Sequence, residues 1–114
     1  MKVIVTGRQN SGKSEFINII NSISAELTIP TINFYEAPIQ DFIYEYSANQ
    51  LIILIDTPAI LCIKRSISVL PLKDYQKQDI LIEYVKELPN CIIIKNDLGI
   101  DDFKVKIKKI VKNI

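Results

Sequence analysis

Between a short β-branched run and a helical pattern the chain reads Gly7-Arg8-Gln9-Asn10-Ser11-Gly12-Lys13-Ser14. The two glycines allow backbone turns that a Cβ would block, so the N–H groups of the segment are predicted to point inward as a nest for anionic oxygens. A helix that begins near Lys13 adds the partial positive charge of its N-terminus. Lys13 supplies a point charge for β- and γ-phosphates, and the Ser14 hydroxyl suits Mg²⁺. All eight residues are therefore predicted to bind a nucleoside triphosphate with Mg²⁺.

Composition restricts the remaining possibilities. The chain has 114 residues, of which 48% are hydrophobic, and this predicts one domain over residues 1–114 with its own core. The net charge of +1 gives no argument for binding DNA, RNA or a membrane surface. The absence of histidine excludes histidine-based catalysis and histidine metal ligands. Cys62 and Cys91 are predicted to be reduced, buried thiols, which fits a cytoplasmic location. The sequence leaves the oligomeric state open.

Apolar runs alternate with helical patterns along the whole chain. Four strands are predicted, at residues 3–5, 29–34, 51–55 and 91–94. Helices are predicted at residues 14–23, 38–46, 59–65, 75–88 and 101–112, with a loop at 66–74 and a turn at 96–99. Continuous apolar strands separated by helices are typical of a parallel sheet covered on both faces. The predicted fold is a three-layer α/β/α domain around a small, mainly parallel sheet of about four strands.

Other candidate site residues follow the predicted strands. A phosphate loop usually works with an acidic residue at the end of a neighbouring strand that holds Mg²⁺, and both Glu36 and Asp56 meet this description. Each carboxylate has an alternative interpretation: Asp56 as the cap of the following helix, and Glu36 as a loop residue that faces solvent. Arg65 is a candidate catalytic cation that stabilises charge on transferring phosphates, and a solvated helix end is its alternative. Asn96 is a candidate contact to the base, or a turn former.

The chain resembles the P-loop NTPases, and its second half looks like small nucleotide and nucleoside kinases of that class. The stretch from Asp56 to Arg65 resembles their strand-to-lid segment, and the stretch from Asn90 to Asp97 resembles their last strand. The resemblance implies binding of ATP-Mg²⁺ and transfer of phosphate to a nucleotide or nucleoside acceptor, with Lys13 and Arg65 as catalytic residues. The chain departs from this pattern where the acceptor-binding subdomain and an arginine-rich lid are expected, at residues 24–28 and 66–74.

A second resemblance is to translation-factor-like GTPases. Gly7 to Asn18 is similar to their first motif, and Asp56-Thr57-Pro58-Ala59 is similar to their D-T-P-G switch motif, with alanine in place of the glycine that meets the γ-phosphate. Lys95-Asn96-Asp97-Leu98 departs from N-K-x-D, the motif that reads guanine. This resemblance implies a GTP-binding switch. The third hypothesis is a nucleotide-binding module without catalysis that acts through a partner.

Overall fold

The computed structural model describes residues 2–24, 33–42, 50–65 and 72–112, and within these ranges it contains a four-stranded, fully parallel sheet. The strands lie in the order β2-β1-β3-β4. The strands are β1 (Lys2–Gly7), β2 (Asn33–Glu36), β3 (Leu51–Asp56) and β4 (Cys91–Lys95). The helices are α1 (Lys13–Ser24), α2 (Ala59–Arg65), α3 (Leu72–Lys86) and α4 (Ile100–Lys112), with a 3₁₀ turn at Ile39–Asp41.

The strand order brings the functional segments to one edge of the sheet. β1 lies between β2 and β3, with Val5 opposite Glu36 on one side and Gly7 opposite Ile55 on the other. Because all four strands run in the same direction, their carboxyl ends meet at this edge, where ligands bind in open α/β sheets. The segment after β1 is therefore flanked by the ends of two neighbouring strands.

Helices cover both faces of the sheet, and this burial stabilises the fold because apolar surface is removed from water. One core cluster joins α1 and α4 to the sheet, and its fully buried aromatic residues are Phe16 and Phe103. The other cluster joins α3 and the 3₁₀ turn to the opposite face through Ile39, Phe42 and Ile82. The predicted three-layer α/β/α fold is confirmed.

Some boundaries differ from the predicted ones. β2 runs from Asn33 to Glu36, two residues beyond the predicted strand, whose first four positions lie outside the described residues. Of the helix predicted at 38–46, the described part is a 3₁₀ turn at Ile39–Asp41 that follows Pro38, with Phe42 in a right-handed helical conformation; residues 43–49 are not described. α3 begins at Leu72, inside the predicted loop, whose positions 66–71 are not described. Among the described helices, none is long and apolar enough to cross a membrane.

Candidate functional site

The segment between β1 and α1 forms a tight loop whose backbone requires its glycines. Gly12 has a φ of +113°, and Asn10 has a φ of +65°, which asparagine tolerates better than most residues. A Cβ on Gly7 would lie 2.6 Å from both the Ile55 carbonyl oxygen and Ser11 Oγ. The Gly12 carbonyl accepts the Phe16 N–H at 2.9 Å, so the loop runs directly into the first turn of α1. Its N–H groups therefore lie at a helix N-terminus, which favours an anion.

The Lys13 side chain is folded back over the loop. Its Nζ donates to the carbonyl oxygens of Gly7 at 3.3 Å and Arg8 at 2.9 Å, and the residue is only 8% exposed. Burial lowers the pKa of Lys13 below its usual value, against the opposing charges of Glu36 and Cys62. Since a phosphate would favour the charged form, this ammonium group is suited to an anionic ligand.

Ser14 and Glu36 meet at the mouth of the loop. Ser14 Oγ lies 3.0 Å and 3.2 Å from the two carboxylate oxygens of Glu36, to which it donates. Both residues line an open cleft of about 580 Å³. The described residues that line it are Gln9, Asn10, Gly12, Lys13, Ser14, Glu15, Glu36, Pro38 and Arg65. The cleft thus combines loop N–H groups, two cations and a hydroxyl–carboxylate pair.

Asp56, the other candidate metal ligand, makes different contacts. Its Oδ1 lies 3.3 Å from an Nη of Arg8, and its Oδ2 lies 3.3 Å from Nζ of Lys86. Burial alone lowers the pKa of Lys86, but the charge and hydrogen bond of Asp56, together with those of Glu83, outweigh it and raise the pKa. Asp56, the first residue of the segment similar to D-T-P-G, therefore pairs with cations. Glu36, the first residue of the second acidic segment with a proline, Glu36-Ala37-Pro38, contacts Ser14 instead.

Three side chains converge on the Ser11 carbonyl behind the loop. Thr57 Oγ1 and Asn96 Nδ2 each donate to it at 2.8 Å, and a guanidinium nitrogen of Arg65 lies 3.4 Å away. Asn96 is 4% exposed, and a Cβ on Gly12 would overlap its amide nitrogen. The amide of Asn96, predicted to contact a base or form a turn, is thus engaged with the loop backbone. Arg65 also reaches the Asn96 carbonyl at 3.3 Å while lining the cleft.

Sequence reasoning missed the residues that hold the loop from outside. Thr57 directly follows β3, and Gln78, Asp79 and Lys86 lie on α3. Gln78 and Asp79 contact loop residues some seventy positions away in the chain. One signal was available in the sequence, since Asp79 and Lys86 are seven positions apart and so share a helix face. Nothing in the sequence connects that face to the loop.

The parallel sheet, the glycine-dependent loop and the order strand–loop–helix define a P-loop nucleotide-binding domain. A family model described as 50S ribosome-binding GTPase matches residues 2–113. The chain belongs to this GTPase family. No curated protein matches the chain. The predicted P-loop NTPase class is confirmed, while the finer resemblance to nucleotide kinases is not confirmed, and the family gives no support to ATP as the nucleotide.

Proposed function

We propose that this chain binds a guanine nucleoside triphosphate with Mg²⁺ in the cleft and acts as a GTPase-type switch domain. The observation that carries the proposal is the hydrogen bond between Ser14 Oγ and Glu36 at the mouth of a complete phosphate loop. It supports the binding of a triphosphate, and the GTPase family match favours guanine over adenine.

The residues at the mouth fit Mg²⁺. A serine hydroxyl and a carboxylate are hard oxygen donors, and Mg²⁺ commonly takes one or two protein oxygens together with phosphate oxygens and water. No cluster of three or more carboxylate, thiol or imidazole residues occurs among the described residues, so a metal held by protein groups alone is not expected there. When bound, Mg²⁺ would neutralise charge on the β- and γ-phosphates. Ser14 and Glu36 are the proposed ligands, and Asp56 is not, because Arg8 and Lys86 already engage it.

Lys13 and Arg65 have different proposed roles. Lys13 exchanges its two carbonyl partners for the β- and γ-phosphates, which satisfy an ammonium group better than neutral oxygens do. Arg65 lies beside the Ser11 carbonyl and faces the same cleft, so its guanidinium stabilises negative charge on the bound phosphates. The loop N–H groups complete the cradle for the phosphate oxygens.

The proposal is tested by titration of the purified protein with GTP and ATP, each with Mg²⁺ and with a chelator. Tight binding of GTP that depends on Mg²⁺ is the expected result, with ATP weaker. Ser14→Ala and Glu36→Gln should each weaken Mg²⁺-dependent binding by at least about tenfold, as loss of a group that holds a metal does. Asp41→Asn removes an exposed carboxylate from the adjoining turn and should leave binding unchanged.

Three results would count against the proposal. Preference for ATP, with phosphate transfer to an added nucleoside monophosphate, would restore the kinase hypothesis. Equal binding with and without Mg²⁺, unaffected by Glu36→Gln, would remove the proposed metal site. Binding of GTP without hydrolysis over long incubation would favour a module that acts through a partner.

A further inference from the structure

Arg8 connects the phosphate loop to helix α3. Its guanidinium donates to Oδ1 of Asp79 at 2.6 Å and 3.0 Å and to the Thr57 carbonyl at 3.0 Å, and it pairs with Asp56 at 3.3 Å. The residue is 9% exposed. Its own carbonyl accepts the ammonium group of Lys13 at 2.9 Å. Arg8 therefore links Lys13, the lysine of the phosphate loop, to the carboxylate of Asp79 on a helix that lies far away in the sequence.

α3 contacts the loop and its surroundings at two further points. Gln78 Oε1 accepts the backbone N–H of Gln9 at 3.2 Å, and Gln78 is 7% exposed. Lys86 pairs with Asp56, which itself pairs with Arg8. Asp79 and Lys86 are two turns apart on the helix, so one face of α3 faces the loop network. Ile80, which follows Asp79, is 74% exposed, so the helix is accessible to solvent next to the face that contacts the loop network.

We infer that α3 sets the conformation of the phosphate loop, and that Asp79 is a positioning residue that acts through Arg8. The inference rests on the proposed function for its effect on nucleotide binding. A cradle of N–H groups binds best when it is already in place, because ordering a loop during binding costs free energy. With Arg8 and Gln9 held by α3, the loop is ordered before the ligand arrives. A movement of α3 would weaken nucleotide binding, and by linkage nucleotide binding would restrain α3.

The contact between Asp79 and Arg8 is partly accessible to solvent, since the Asp79 side chain is 47% exposed. Its effect should therefore lie between that of an exposed ion pair and that of a buried, charge-assisted hydrogen bond. We expect Asp79→Asn to weaken Mg²⁺-GTP binding about fivefold. Asp79→Glu keeps the charge and should recover part of the loss.

The test compares Asp79→Asn with Glu83→Gln, which removes a carboxylate from the same helix that pairs with Lys86 but is 72% exposed. Two quantities are measured on the folded proteins. The first is hydrogen exchange of the loop amides of Gln9 and Ser11 without nucleotide. The second is the dissociation constant of Mg²⁺-GTP.

Faster loop exchange in Asp79→Asn, with weaker binding and with neither change in Glu83→Gln, supports the inference. In an Arg8→Met background, Asp79→Asn should add no further effect, because the two residues act through one contact. Unchanged loop exchange in Asp79→Asn overturns the inference, as does a loss of thermal stability alone. If the wild-type protein fails to bind Mg²⁺-GTP, the proposed function fails, and loop exchange still decides whether α3 positions the loop.

Discussion

Replacement of Gly12 by alanine perturbs the phosphate loop at its tightest point. The residue has a φ of +113°, and an added Cβ would overlap Nδ2 of Asn96 and lie 3.5 Å from the Phe103 ring. Asn96 is 4% exposed and donates to the Ser11 carbonyl at 2.8 Å, so it cannot move without losing that hydrogen bond. The substitution therefore combines backbone strain with the loss of a buried contact.

The two effects have separate magnitudes. A left-handed conformation costs a residue with a Cβ about 1–2 kcal/mol. Loss of the Asn96 hydrogen bond in a buried setting adds about 1–2 kcal/mol, with Thr57 still donating to the same carbonyl. The expected destabilisation is about 2–4 kcal/mol, less than the total stability of roughly 5–15 kcal/mol typical of a domain. The variant should therefore fold, with a distorted loop.

Gly99 offers a matched control. It also has a positive φ, of +102°, and its carbonyl accepts an N–H from the first turn of a helix, as the Gly12 carbonyl does. A Cβ at Gly99 meets no atom within 4 Å. Gly99→Ala should therefore show the backbone strain alone, about 1–2 kcal/mol.

The assay is chemical denaturation of both variants, followed by titration with Mg²⁺-GTP. Gly12→Ala should be less stable than Gly99→Ala by about 1–2 kcal/mol, and only Gly12→Ala should lose nucleotide affinity, by about tenfold or more. Adding Asn96→Ala removes the overlap, so in that background the two alanine substitutions should cost the same. Equal losses of stability and affinity for the two single variants would refute the reasoning.

Three further predictions concern titration and packing. Burial lowers the pKa of Lys13, and a bound triphosphate should raise it again because it favours the charged ammonium group. Mg²⁺-GTP binding should therefore take up protons at alkaline pH and weaken as the pH rises through this range. Calorimetry in buffers of different ionisation enthalpy checks this, and Lys13→Arg should show no uptake. Burial raises the pKa of Cys91 to about 11 and also raises the pKa of Cys62, so both thiols stay protonated near neutral pH. Neither should react with iodoacetamide in the folded protein, which mass spectrometry would measure. Rapid alkylation of the native protein would contradict this prediction. Phe103→Ala should destabilise the fold by about 3–5 kcal/mol in denaturation experiments, because the ring is fully buried. Val105 is exposed on the same helix, and Val105→Ala should cost under about 0.5 kcal/mol. Similar losses of stability for the two variants would contradict the packing described for α4.

Much of the fold could be predicted because its signals are local. The runs at β1, β3 and β4 are apolar and β-branched, and the pattern in α4 repeats with a helical period. The exposed edge strand β2 was harder to place, since Asn33, Tyr35 and Glu36 are polar or amphipathic and follow no apolar alternation. Within the stretch that the apolar spacing predicts as a helix, the residues directly after Pro38, Ile39–Asp41, form a 3₁₀ turn instead of α-helix.

The site could be predicted only in part, because its contacts join distant positions. The loop depends on residue types at fixed spacing, so its sequence alone identifies it. Glu36 and Asp56 could not be distinguished from the sequence, since each ends a strand beside β1, and only their partners separate them. Those partners depend on how the loop and α3 pack together, which no local pattern of residues expresses. For the same reason, the contact between Arg8 and Asp79 could not be predicted from the sequence.

The most direct test of the central claim is calorimetric titration of Mg²⁺-GTP into the wild-type protein and into Lys13→Ala. Lys13 is held at the loop by the Gly7 and Arg8 carbonyls and lies in the cleft beside Ser14 and Glu36. Binding by the wild-type protein and none by a folded Lys13→Ala variant is the predicted result. Unchanged affinity in Lys13→Ala, or no binding by the wild-type protein, would contradict the account.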